Sequence, residues 1–136
     1  MSFLVDTNVI FELRKGSRCN SGVSTWFRQQ SGDPVYLSVL VVGEIRRGIE
    51  SLRRRDPIAA GALDGWLTKL SIEYAERILP VDATVAELWG RLNVPDTLPA
   101  VDSLLAATAL VHGMTLVTRN LRDFERCGCA LLNPFT

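Results

Sequence analysis

The stretch FLVDTNVI, Phe3–Ile10, constrains the fold more than any other part of the chain. Phe3, Leu4 and Val5 form an apolar run too short for a helix, and such a run fits a strand buried on both faces. It halts at Asp6. Val9, Ile10 and Leu13 then recur at helical spacing. A carboxylate is thus set where a buried strand gives way to a helix. In open α/β sheets, sites gather at the carboxyl ends of strands. The ordinary alternative for Asp6 is that it only caps the helix.

The same alternation continues along the chain. Lys15–Ser21 is polar and reads as a loop, and Val23, Trp26 and Phe27 sit at helical spacing before the stop signal Ser31-Gly32-Asp33-Pro34. Val35–Ser38 reads as the second strand. A long helix follows to about Arg55, with Leu40, Val41, Ile45, Gly48, Ile49 and Leu52 as its apolar stripe. Asp56-Pro57 marks a boundary, and Pro57 suits the first turn of a helix carrying Ile58, Ala62, Leu63, Trp66, Leu67 and Leu70. Ile78–Val81 is a third strand, and Asp82 caps the helix of Val85, Leu88, Trp89 and Leu92. After a loop at Asn93–Pro99 come an Ala-rich helix, Val101–His112, closed by Gly113, a fourth strand, Thr115–Thr118, a helical turn, Asn120–Phe124, and a fifth strand, Ala130–Leu132. Strands alternating with helices assemble most simply as a parallel sheet with helices on both faces. The two helices between the second and third strands form a hairpin.

At 136 residues with 47% hydrophobic side chains, the chain is one domain, residues 1–136. A chain of this size buries roughly two-thirds of its unfolded surface. No apolar run reaches membrane-spanning length, and no basic segment leads an apolar one, so neither a membrane span nor a signal peptide is expected. The three cysteines, Cys19, Cys127 and Cys129, are odd in number and sparse, which suits a reducing cytoplasm. Cys127-x-Cys129 lacks a second ligand pair, so these read as thiols within the fold rather than as a zinc site. Net charge is zero, which argues neither for nor against nucleic acid. Among the 15 basic residues only Lys15 and Lys69 are lysines, and arginine suits bidentate phosphate contacts. A GC-rich genome produces the same bias.

Four acids stand out by context. Asp6 follows the first strand. Glu44 shares its helix stripe with Leu40, Val41, Ile45 and Gly48, whereas Arg46, Arg47, Glu50 and Arg54 mark the solvated face. A carboxylate on a buried stripe is normally paired or bound to metal, and a salt bridge to an arginine is the ordinary alternative. Asp102 opens the Ala-rich helix, and Leu105, Ala106 and Ala109 continue its face; its ordinary role is an N-cap. Asp123 follows the fourth strand, three residues past Asn120, where a helix dipole favours an acid. A doubly wound sheet is able to bring all four to one edge. Clustered carboxylates repel one another unless cations neutralise them. Oxygen donors without His or Cys suit Mg²⁺ or Mn²⁺. Such ions support displacement at phosphorus, so metal-dependent phosphodiester hydrolysis is the leading reaction class. Cations should rim such a pocket, and Arg46, Arg47, Arg119 and Arg122 are the candidates for contact with substrate phosphates. His112, at a helix end before Gly113, reads as a dipole partner. The chain has neither a Gly-rich phosphate loop nor a nucleophile elbow.

Taken together, VDTNVI at Val5–Ile10, GEIRRGI at Gly43–Ile49, VDSLLAATAL at Val101–Leu110 and TLVTRNLRDF at Thr115–Phe124 resemble the PIN-domain ribonucleases, specifically the VapC toxins of bacterial toxin–antitoxin pairs. The motifs occur in family order and spacing across essentially the whole chain. The resemblance implies a PIN-like three-layer α/β/α fold with a five-stranded parallel sheet, Mg²⁺ or Mn²⁺ in an acidic site, and RNA as substrate. It implies that Asp6, Glu44, Asp102 and Asp123 form the catalytic, metal-holding quartet, with Thr7, Thr118 and Asn120 as polar neighbours. Asp96 competes with Asp102, but only Asp102 precedes the LLAATAL helix. The resemblance also implies a VapB-like antitoxin and a homodimer. Trp26, Trp66 and Trp89 either line a partner groove or belong to the core.

Two other classes fit parts of the pattern. A phosphoacceptor domain needs an acid after the third strand, where Asp82 stands, and a lysine after the fifth, and no lysine follows Leu132. A non-catalytic PIN-type RNA-binding or scaffold domain usually lacks part of the acidic set, which this chain keeps.

Overall fold

The computed structural model describes residues 1–30, 32 and 34–136. The elements run β1 (Phe3–Val5), α1 (Thr7–Leu13), α2 (Ser21–Arg28), β2 (Val35–Ser38), α3 (Val39–Arg53), α4 (Pro57–Glu73), β3 (Ile78–Leu79), α5 (Ala83–Leu92), α6 (Ala100–His112), β4 (Thr115–Val117), α7 (Leu121–Phe124) and β5 (Leu131–Leu132). Of the stop signal expected at positions 31–34, Ser31 and Asp33 lie outside the described residues.

All strand pairs are parallel, in the order β3-β2-β1-β4-β5. Phe3 lies opposite both Val35 and Thr115, which fixes β1 at the centre. From β1 the chain moves one way to β2 and β3, then returns past β1 to β4 and β5. Right-handed crossovers put the helices of opposite directions on opposite faces. Thus α1–α4 cover one face and α5–α7 the other, which is the expected three-layer arrangement. Covering both faces explains why Leu4, Val5, Leu37, Leu116 and Val117 have no exposed surface.

Local chemistry sets most element ends. Asp6 caps α1, Asn20 caps α2, Ser38 caps α3, Asp56 caps α4 behind Pro57, and Asp82 caps α5. Gly113 ends α6 at φ +63°, a left-handed conformation that needs no Cβ penalty only in glycine. The core joins Val41, Ile45 and Ile49 of α3 with the central strands.

Several expectations are corrected. Gly48 is exposed and Leu40 half-buried, so the buried face of α3 is narrower than its sequence stripe. The edge strands β3 and β5 are two residues each, shorter than the expected Ile78–Val81 and Ala130–Leu132, and β3 stops before Pro80, which has no N–H for the ladder. The Lys15–Ser21 loop contains a 3₁₀ turn, Gly16–Arg18, and yields Ser21 to α2. The tryptophans divide. Trp26 is buried edge-on against Phe3, Trp66 is half-buried against Phe11, and half-buried Trp89 donates its indole N–H to Ser103 Oγ at 3.0 Å. Cys127 is buried and Cys19 and Cys129 partly so, all three as free thiols. Burial pushes the Cys129 thiol up to about 11, which leaves it protonated near neutral pH. No helix among the described residues is long and apolar enough to cross a membrane.

Candidate active site

The connections from β1 and β4 leave toward opposite faces, so the carboxyl ends of these neighbours form the switch point where such sheets build sites. Asp6 follows β1 and Thr118 follows β4. Asp6 is 8% exposed and Thr118 fully buried. The Thr118 hydroxyl donates to Asp6 Oδ2 at 2.9 Å, and the Thr7 backbone N–H donates to Asp6 Oδ1 at 2.8 Å. The cap reading of Asp6 is therefore correct and incomplete. One oxygen caps α1, and the other closes the switch point.

Asn8 ties the two loops together. Its Nδ2 donates to Asp6 Oδ2 at 3.3 Å and to Thr118 Oγ1 at 3.4 Å, and its Oδ1 accepts from the Arg119 backbone N–H at 3.1 Å. Sequence reasoning missed this role. The only local signal was an Asn within the turn from strand to helix, a residue able to bond backbone groups in either direction. Thr118 Oγ1 also accepts from the Asn120 N–H at 3.0 Å. The Asn120 side chain makes no cap bond to α7.

Glu44 stands half-buried on α3 and accepts from the Thr7 hydroxyl at 2.9 Å. The salt bridge offered as its ordinary alternative is not among the ion pairs of the described residues. Asp102 lies in the first turn of α6, whose N-cap is Pro99, so it does not cap that helix. Asp123 is exposed in the first turn of α7. Asp96 sits exposed in the preceding loop.

Asp6 and Asp102 respond to the other acids. Burial pushes the Asp6 carboxyl above the usual carboxylate range. The bonds from Thr118 and Thr7 oppose this, and the charges of Glu44 and Asp123 add to it. Burial likewise raises Asp102, with further contributions from Asp123, Asp6 and Glu44. None of the four takes part in an ion pair among the described residues. Among the described residues, no three His, Cys, Asp or Glu side chains stand close enough together to hold an ion as they are. Carboxylates with nothing between them repel, and Asp6 and Glu44 are each held by a hydroxyl.

The basic candidates differ in availability. Arg46, expected on the rim, instead binds Glu50 at 3.0 Å and Asp64 at 2.5 Å. Arg53 joins the same pair of acids and so helps pin α3 to α4. Arg47, Arg119 and Arg122 are exposed and carry no ion pair among the described residues.

A family model described as PIN domain matches residues 3–128. The chain belongs to the PIN domain family. Among curated PIN-like relatives, toxin FitB of Neisseria gonorrhoeae is 31% identical over 139 residues, covering 97% of each chain. VapC ribonuclease Y4jK of Sinorhizobium fredii is 30% identical over 139 residues, covering 97% of this chain and 96% of that protein. A chain in the structure of FitAB bound to an IR36 DNA fragment superposes on this PIN domain with a TM-score of 0.82 at 30% identity, over 98% of this chain and 96% of its own.

Proposed function

We propose that this PIN-domain chain is the toxin of a toxin–antitoxin pair and cuts RNA by metal-dependent hydrolysis of phosphodiester bonds, in the cytoplasm. What supports this reading is buried Asp6 after β1, held by the Thr118 hydroxyl and the Thr7 backbone N–H, with Glu44 bonded to the Thr7 hydroxyl and none of Asp6, Glu44, Asp102 and Asp123 in an ion pair among the described residues. Relatives that carry the words ribonuclease and toxin match it over nearly their whole length.

Asp6, Glu44, Asp102 and Asp123 would hold Mg²⁺ or Mn²⁺. The donor set fits, being all oxygen, mutually repulsive and uncompensated. When bound there, a divalent cation supplies an activated water and neutralises charge developing at phosphorus. The chain's own residues do the positioning. Thr118 and Thr7 hold the two Asp6 oxygens, Thr7 holds Glu44, and Asn8 locks the Thr118–Asn120 turn against α1. Arg47, Arg119 and Arg122 offer guanidinium groups to RNA phosphates.

FitB occurs in an assembly named FitAB on DNA, and a VapB-like antitoxin is the matching partner for this chain. We propose a homodimer on the same family ground. The test is RNA cleavage by purified protein with Mn²⁺, with EDTA, and with Asp6→Asn. Cleavage should vanish in the last two. Near wild-type cleavage by folded, nuclease-free Asp6→Asn would refute the assignment.

A further inference from the structure

We infer that Phe135 is a positioning residue for Arg119, holding its guanidinium ready to bind an RNA phosphate on the rim of the acidic site. The inference rests on the RNA-cleaving reading above. Arg119 directly follows Thr118, whose hydroxyl bonds Asp6. Its backbone N–H is fixed by Asn8. Its guanidinium lies over the Phe135 ring, 4.8 Å from the centroid. The main chain of Arg119 is thus set by the active site and its side chain by a distant segment.

That segment, Asn133–Thr136, is itself anchored. Asn133 Oδ1 accepts from the Phe135 N–H at 3.0 Å. Asn20 Nδ2 donates to the Thr136 carbonyl at 3.0 Å, and Asn20 Oδ1 accepts from the Thr136 N–H at 3.2 Å. The Gly22 N–H donates to Thr136 Oγ1 at 3.2 Å. A Cβ on Gly22 would stand 2.4 Å from the Pro134 carbonyl oxygen, so only glycine admits the segment here. The same Asn20 oxygen caps α2 through Gly22 and Val23.

Among the described residues the Arg119 guanidinium makes no hydrogen bond. Arg46 and Arg53 spend their donors on Glu50 and Asp64, whereas Arg119 is in no ion pair among the described residues. The acid that senses it, Glu12, already accepts from the Asn20 N–H at 2.8 Å and from Lys15 Nζ at 3.0 Å. A ring-held guanidinium presents its N–H fork with its rotamers already restricted, which favours a bidentate phosphate oxygen pair. Neither Arg119 nor Phe135 lies among the site's acids, and Phe135 is far from them in sequence, so no local pattern pointed to the pair.

The test is steady-state cleavage of a synthetic single-stranded RNA with Mn²⁺ across a salt series. Phe135→Leu should raise KM about two- to fivefold with kcat kept, from loss of an exposed cation–π contact. Phe135→Tyr should restore KM. Gly22→Ala, which displaces the segment without touching either residue, should reproduce the rise. Arg119→Ala should raise KM and lower the salt slope by about 0.7. In the Arg119→Ala background, Phe135→Leu should add nothing. An unchanged KM for Phe135→Leu in an active enzyme overturns the inference alone. So does a KM effect that persists in the Arg119→Ala background. If Phe135→Leu does not fold, an unchanged KM and salt slope for Arg119→Ala overturns it instead. Wild-type protein that cuts no RNA overturns the RNA-cleaving reading and the inference with it.

Discussion

Thr118→Val removes a hydroxyl and little else, at a residue with no exposed surface. The lost atom donates to Asp6 Oδ2 at 2.9 Å and accepts from the Asn120 N–H at 3.0 Å. A hydrogen bond to a charged group contributes roughly 1.5–3 kcal/mol, so about 2 kcal/mol is expected near neutral pH. Unfolding entropy is about 2.1 cal/mol/K per residue. For a chain of this length, 2 kcal/mol then corresponds to a drop in Tm of about 7 °C. The pH dependence identifies the partner. Burial raises the folded Asp6 pKa, so Asp6 favours folding below its unfolded pKa and that contribution is lost as pH rises through its folded pKa. The Thr118 bond opposes that rise. Without it, the folded pKa climbs further and the penalty at high pH grows. The gap between variant and wild type should therefore be largest at pH 8 and narrow as the pH falls and the hydroxyl increasingly meets a protonated carboxyl. Thermal melts at pH 4 and pH 8, with Thr118→Ser as the control that keeps the hydroxyl, measure this. An equal loss at pH 4 and pH 8 would show that the bond is not made to an ionised Asp6, and the switch-point account would fail.

Other expectations follow from the same geometry. Mn²⁺ at a hundredfold excess over its dissociation constant should stabilise the protein by about 3 kcal/mol. Asp102→Asn relieves repulsion and does not disturb a cap. The metal-free variant should melt at or above wild type and lose most of the Mn²⁺ shift; equal shifts in both proteins would remove Asp102 from the ligand set. Glu44→Gln keeps an oxygen for the Thr7 hydroxyl, so it should fold normally and lose cleavage, and a large fall in Tm would point to a structural role instead. Gly48 is exposed within α3 and a Cβ there meets nothing within 4 Å. Gly48→Ala should stabilise by roughly 0.5–1 kcal/mol in denaturant unfolding. Ile45→Ala, at a fully buried position on the same helix, should cost about 2–5 kcal/mol.

Much of this protein is decided within a few residues of chain, and that part was legible. The Asp56-Pro57 boundary, Asp82 as a cap, Pro57 at the start of α4, Gly113 at the end of α6 and the alternation of strand and helix all depend on neighbours within about one helical turn. Asp6, Glu44, Asp102 and Asp123 stood out because an acid at a strand end or on an apolar stripe is anomalous by local pattern alone. The pairing of these features depends on the crossovers instead. Only the strand order sets β1 beside β4, and it brings Thr118 to Asp6 across 112 residues of chain. Pattern could not tell that Pro99, not Asp102, stands at the N-cap position of α6, that Asn8 joins two loops, or that Arg46 turns to Asp64 on the next helix. Those outcomes are long-range, because a polar group at a junction satisfies its hydrogen bonds with whatever the fold places next to it. Sequence by itself determined which residues carry charge and, to within a residue or two, where most elements begin. The tertiary structure decided which of those charges face one another and which are already spent.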